Sequence, residues 1–296
     1  MAGTNLDSSG GTAGPPGGAS VLTRMLVATG GSEPSLSALR LALHLARDAS
    51  SQVEALIVED VYFPPGALFA RGDSLAQLMR QAESLAAYAW NETERRIKQI
   101  ADEHGASIAI RRESGRVADV LVGASQAASL ILLGRRGCRP GDGGQLGSNA
   151  ELVVRRIEKP VLLAPVKFRT PQRVLVAYGG KDMGALALQT AVIIADALEL
   201  PLSVLTVEHD EQRREEIQQR AKRHQPELAD RASFEHDTGE PAAAILRRAV
   251  PDTLVVMGAY GHSRLYRVVL GSVTEQVMRA ARGPLLLSRK RRPVVP

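Results

Sequence analysis

The chain has 296 residues, 44% hydrophobic and 23% charged, with 37 Lys and Arg against 32 Asp and Glu for a net charge of +5. That balance suits a folded protein of two domains, at roughly 100–200 residues per domain, and excludes wholesale disorder. The longest apolar stretches, such as Leu130–Leu133 and Val161–Pro165, fall far short of the ~20 residues of a membrane span, so no membrane partner is expected.

Residues 1–22 are rich in Gly, Ser, Thr and Pro. They lack the apolar core of a secretory signal and read as a disordered leader. A short apolar run follows at Met25–Ala28, then Gly30-Gly31 and an Ala/Leu-rich helix predicted over Ser35–Ala49. Next come a strand at Val53–Val58, a long helix from about Ser74 to Glu103, a strand at Ser107–Arg111 and a helix at Arg116–Ala127. A fourth strand at Leu130–Leu133 leads through a glycine-rich loop into a helix at Ser148–Ile157 and a fifth strand at Val161–Pro165. After the link Lys167–Gln172 the order repeats. Strands are expected at Val174–Ala177, Leu202–Val207, Ala232–His236, Leu254–Met257 and Leu285–Ser288, and helices at Ala185–Leu198, Asp210–His224, Pro241–Ala249 and Ser272–Arg282. Residues 291–296 form a short tail.

The repetition is written in identities. Arg24-Met25-Leu26-Val27-Ala28 returns as Arg173-Val174-Leu175-Val176-Ala177, and Val58-Glu59 as Val207-Glu208, at an offset of 149. From Gly115 onward the offset is 124: Gly134, Gly137, Gly147, Ser148 and Pro160 return as Gly258, Gly261, Gly271, Ser272 and Pro284. The first copy therefore carries 25 additional residues between Asp60 and Gly115. A period of this kind indicates tandem duplication. Short apolar strands alternating with helices give the fold class: α/β, with parallel sheets covered on both faces. The domains are read as 23–168 and 172–290.

Both copies carry the pattern G-x2-G-x9-G-[S/T] after their fourth strand: Gly134, Gly137, Gly147 and Ser148, then Gly258, Gly261, Gly271 and Ser272. Ligands of open α/β sheets bind at this carboxyl edge of the strands. Glycines let the backbone approach an anion, and a helix opening there offers free N–H groups to phosphate. The alternative is a plain strand-to-helix loop with a serine N-cap. Retention of the spacing in both copies favours phosphate.

These motifs resemble the universal stress protein family. The resemblance is carried by the two glycine loops, the strand starts Leu26-Val27-Ala28 and Leu175-Val176-Ala177, and the turn Gly239-Glu240-Pro241-Ala242. The block Gly271-Ser272-Val273-Thr274-Glu275-Gln276-Val277 and the run Gly283-Pro284-Leu285-Leu286-Leu287 complete it. It implies two tandem five-stranded parallel-sheet domains of the adenine nucleotide α-hydrolase-like, Rossmann-like type. It also implies a cytoplasmic stress-response sensor or switch that binds adenine nucleotide, ATP first, with ADP or AMP as the other candidates.

By the resemblance, Gly258, Gly261, Gly271, Ser272 and Val273 hold phosphate and ribose in the second copy. Gly134, Gly137, Gly147, Ser148 and Asn149 are their counterparts. Val207, Val58, Met257 and Leu133 border the adenine, or are plain core residues. The family's Asp after strand one is replaced by Thr29 and Tyr178, which weakens the case for Mg²⁺. Tyr178 stands where it would occlude the adenine pocket or stack on it. Family members pair through their last strands, so Val161–Pro165 and Leu285–Ser288 would join the copies into an intramolecular pseudo-dimer, with a homodimer of chains as a further step.

Other features are weaker. Arg135 and Arg136 either clamp phosphate or are solvated, and Glu59 and Glu208 bond a ribose or, better, cap the next turn. Cys138 alone permits no intramolecular disulfide and no thiolate zinc cluster. Aromatics are 3% and the densest basic run, Arg289-Lys290-Arg291-Arg292, is terminal, so no nucleic-acid partner is expected. No metal-ligand spacing and no positioned general base is visible, so the chain is read as no enzyme, with slow ATP hydrolysis at most. The rival readings are an interaction module without nucleotide and, with less support, an ATP pyrophosphatase, whose paired loop serines are missing.

Overall fold

The computed structural model describes residues 20–46, 51–59, 73–136, 146–259 and 270–289. Gly137, Cys138, Gly261, His262, most of the leader and the tail lie outside the described residues.

The first half runs β1 (Arg24–Ala28), α1 (Glu33–Leu45), β2 (Gln52–Glu59), α2 (Asp73–Glu103), β3 (Ala109–Ser114), α3 (Val117–Ala124), β4 (Leu130–Gly134), α4 (Ser148–Arg156) and β5 (Val161–Ala164). The second runs β6 (Arg173–Ala177), α5 (Asp182–Leu198), β7 (Leu202–Val207), α6 (Glu211–His224), α7 (Leu228–Arg231), β8 (Ala232–Asp237), α8 (Pro241–Arg248), β9 (Thr253–Gly258), α9 (Ser272–Ala280) and β10 (Leu285–Ser288).

All ten strands form one sheet in the order β3-β2-β1-β4-β5-β10-β9-β6-β7-β8. Within each half the pairs are parallel. Only β5 and β10 meet antiparallel, with Leu285 opposite Leu163, Leu286 opposite Leu162 and Leu287 opposite Val161. Every residue of these two strands is buried, so the chain is an intramolecular pseudo-dimer joined through its last strands. Each large apolar side chain removed from water there contributes about 2 kcal/mol of gross burial.

Alternation along the strands sorts the core into two layers. Val27, Ile57, Leu132, Leu162, Val176, Val204, Val256 and Leu286 pack under α1, α2, α5 and α6. Leu26, Leu56, Ile131, Leu163, Leu175, Leu205, Met257 and Leu287 pack with α4, α8 and α9. Both layers run unbroken across the β5–β10 seam.

Helix starts follow their caps. Ser32 accepts from the Ser35 amide ahead of α1, and Asp210, expected inside the helix, accepts from the Arg213 amide at 2.7 Å and so stands just outside α6. Strand β3 runs three residues past its predicted end. Arg111 and Arg112 suit a sheet edge, where charge deters further pairing, and Arg111 pairs with Glu54 of β2 and with Glu113.

The 25 additional residues can be located more closely. Gly31 has φ +77 and Gly180 φ +73, a region open to glycine at little cost. Each turn is held by an arginine of the second helix of its half: Arg96 of α2 donates to the Gly31 carbonyl at 2.7 Å and Arg220 of α6 to the Gly180 carbonyl at 2.8 Å. Thr93 and Ile217 press on these two glycines. Arg96 and Arg220, like Thr93 and Ile217, are 124 apart. The extra residues therefore lie between Glu59 and Thr93, and in α2 they include a first half with no buried residue, on which Leu85 and Tyr88 are 70% and 73% exposed.

Candidate functional site

The carboxyl ends of the strands in each half converge on one edge of the sheet. In the second half, register sets Ala177 of β6 beside Leu205 and Met257, and Val207 ends β7 two residues beyond Leu205. Ala177, Val207, Met257 and Val273 all pack on the layer carrying α8 and α9. They form the apolar floor of this edge of the sheet, with Val273 contributed by α9. The first half repeats it with Ala28, Val58 and Leu133, where Ala28 pairs with Leu56 and Leu133. The residues expected to border adenine are thus brought together in each half, and Val58 and Val207 are partly exposed at the rim.

The glycines of the motif divide into two kinds. A side chain on Gly134 would come within 2.6 Å of the Pro34 backbone, and one on Gly258 within 2.7 Å of the Met183 carbonyl oxygen. Real Cβ atoms do not approach so closely, so packing of α1 and α5 against the strand ends accounts for glycine at both places. Gly271 is different. Its backbone (φ −62, ψ 146) is extended and open to any residue. Among the described residues a side chain there would meet nothing closer than Thr274 Oγ1 at 3.9 Å. Nothing in the described fold requires glycine at this position.

Gly147 and Gly271 occupy the cap positions of α4 and α9, and neither helix has a side-chain cap. Ser148 and Ser272 are the first helical residues and are exposed. The serine N-cap is therefore not what the loop builds. Among the described residues the first-turn amides of α9 have no hydrogen-bond partner, and the free N–H groups and positive end of a helix favour an anion. By contrast, α8 is capped by Glu240, which accepts from the Ala243 amide at 2.9 Å.

Several neighbours take other roles than the sequence left open. Tyr178 is 2% exposed and belongs to the opposite layer, under the start of α5. It neither occludes nor stacks in the crevice. Glu208 accepts from the amides of His209 at 3.0 Å and Asp210 at 3.4 Å, and Glu59 accepts from the Ser114 hydroxyl at 3.1 Å. Glu208 thus caps the next turn, as the second of its two readings had it, whereas Glu59 bonds across the strand pair to β3.

Arg135 is the largest departure. It is 5% exposed and its guanidinium donates to the carbonyls of Ala281 and, at 2.6 Å, Gly283 of the other half. It is neither solvated nor free to clamp phosphate. Burial pulls its pKa down to about 10, with the adjacent Arg136 charge adding to the effect, so it remains charged at neutral pH. Arg155 pairs within α4 with Glu151 at 2.7 Å and reaches across the same seam to 3.6 Å from Glu275 of α9.

Among the described residues no group of three or more His, Cys, Asp or Glu is placed to hold a metal ion, and no helix is long and apolar enough to cross a membrane.

The sequence profile of the universal stress protein family matches residues 22–165 and 170–289. A universal stress protein of Synechocystis is 32% identical over 190 residues, covering 62% of this chain and 66% of that protein. One from Mycolicibacterium smegmatis is 25% identical over 292 residues, 90% of this chain and 97% of that protein. Among solved structures, a universal stress protein from Archaeoglobus fulgidus shares the fold with a TM-score of 0.68 at 20% identity, over 91% of this chain and 99% of that one.

Proposed function

Because this chain belongs to the universal stress protein family, we propose that it binds an adenine nucleotide, ATP first, at the carboxyl edge of its sheet. The second half is the better site. One observation carries the reading: Gly271, a glycine the described fold does not need, opens a helix without a side-chain cap above a floor of Ala177, Val207 and Met257. An apolar floor suits the adenine ring, and the amides of Gly271, Ser272 and Val273 suit the phosphates. Ser272 adds a hydroxyl donor, and Val273 packs beside the floor.

The role is binding rather than turnover. No side chain of this crevice is assigned as general base, and the expectation is a sensor or switch with slow hydrolysis at most. Purified protein should release ATP, ADP or AMP on denaturation, and ATP added to nucleotide-free protein should give a heat of binding. Absence of both results would end the nucleotide reading and leave an interaction module. Rapid cleavage of ATP to AMP and pyrophosphate would make the chain an enzyme instead.

A further inference from the structure

The two loop necks differ at two matched positions. Gly147 is buried and its amide donates to the Arg135 carbonyl at 2.9 Å. Gly271 is partly exposed, and its amide has no hydrogen-bond partner among the described residues. Where Arg135 reaches into the second half, the matching residue is Ala259, whose side chain has no donor.

Arg135 is held through its backbone and through both terminal nitrogens of its guanidinium, while its buried Nε has no hydrogen-bond partner among the described residues. Its amide donates to Ala164 of β5 at 2.9 Å, its carbonyl takes the Gly147 amide, and its side chain holds Ala281 and Gly283 in the turn between α9 and β10. That turn is itself fixed, because a side chain on Gly283 would stand 2.5 Å from the carbonyl oxygens of Val250 and Thr253. A phosphate that took the Gly147 amide would have to shift the Arg135 backbone. That shift would draw the guanidinium from two buried carbonyls of the other half, and stranded buried polar groups are costly.

From these differences, and resting on the nucleotide reading above, we propose that the chain holds a single adenine nucleotide, in its second half. The equivalent neck of the first half is closed as part of the seam, and Arg135 is the positioning residue that closes it. The duplication has thus divided two tasks between two copies of one loop: one binds, the other fastens the halves together.

Calorimetric titration of the full chain with ATP should give one site, and Gly271→Val should remove all of it. Two sites in the wild type, or binding that survives Gly271→Val, would overturn the proposal. This arm does not depend on any Arg135 variant folding. If the wild type binds no adenine nucleotide, the nucleotide reading has failed by itself, and hydrogen exchange then decides the closure. Arg135→Ala should speed exchange at the Gly147 amide and at Leu285–Leu287 by at least about tenfold, as local opening of that seam requires. Arg135→Lys, which keeps the charge but not the forked donors, should do so less. Unchanged exchange in Arg135→Ala would overturn the closure.

Discussion

The ring of Tyr178 lies against Gly184, where a side chain on the glycine would come within 2.7 Å of Cδ2 and 2.8 Å of Cε2. In the first half the same two places hold Thr29 and Ser35, whose hydroxyls are 3.4 Å apart. A large residue beside none has been exchanged for two small polar ones. Gly184→Ser should therefore destabilise the protein by about 1–3 kcal/mol through overpacking. Adding Tyr178→Thr should recover much of that loss. Denaturation midpoints of the two single variants and the double variant measure the coupling, and additive effects would contradict the contact.

Gly271→Val tests the other kind of glycine. With nothing among the described residues closer than 3.9 Å to its missing side chain, the variant should keep its unfolding temperature within a few degrees while losing ATP affinity by at least ~100-fold, as a blocked phosphate cradle requires. A large loss of stability would mean that the fold, rather than a ligand, demands this glycine.

Gly258→Ala should do the reverse. Its Cβ would stand 2.7 Å from the Met183 carbonyl oxygen, so α5 must lift from the strand end at a cost of about 1–3 kcal/mol. Gly134→Ala should cost a similar amount against Pro34. Both losses should appear in urea unfolding without any nucleotide present.

Asp237, at the end of edge strand β8, accepts from Arg248 at 2.9 Å, Arg247 at 2.7 Å and the Gly239 amide at 2.9 Å. Those donors, Arg248 foremost, hold its carboxyl well below the usual aspartate range. A depressed carboxylate stabilises the fold fully above its unfolded pKa, and that contribution fades as pH falls through the folded value. Asp237→Asn should thus be less stable than wild type at about pH 7, with the gap narrowing below about pH 4. A gap that stays constant down to about pH 2 would show that the charge is not what the arginines read.

The alternation of strands and helices was legible because most strands are short apolar runs and the loops after β1, β4, β6 and β9 carry glycine. The duplicated loop was legible because its spacing survives twice. Arg135 was not, since an arginine pair in a glycine-rich loop reads as a phosphate clamp or as solvated, and the partners of Arg135 lie 146 and 148 residues away in the chain. Tyr178 was placed at the right position but on the wrong face. It comes two residues after Val176, and both side chains pack on the α5 face, away from the crevice. Arg96 and Arg220 carried a signal in their common offset of 124, but single matched arginines within polar helices do not stand out. The second-half turn Gly239–Pro241 was read from its residues, while the charge cluster around Asp237 depends on which side chains the sheet edge sets side by side.

The seam between β5 and β10 also has a consequence in time. Strand β5 is complete at Ala164, but its partner is finished only about 120 residues later. At translation rates of about 5–20 residues per second, the newly made first half waits roughly ten seconds with an apolar strand edge uncovered. During that interval a second nascent chain presents the same edge, and pairing between them would give a swapped dimer. A strand of only four residues limits that hazard, because short edges make poor templates. The order of synthesis thus favours closure within one chain, provided the second half folds promptly once it emerges.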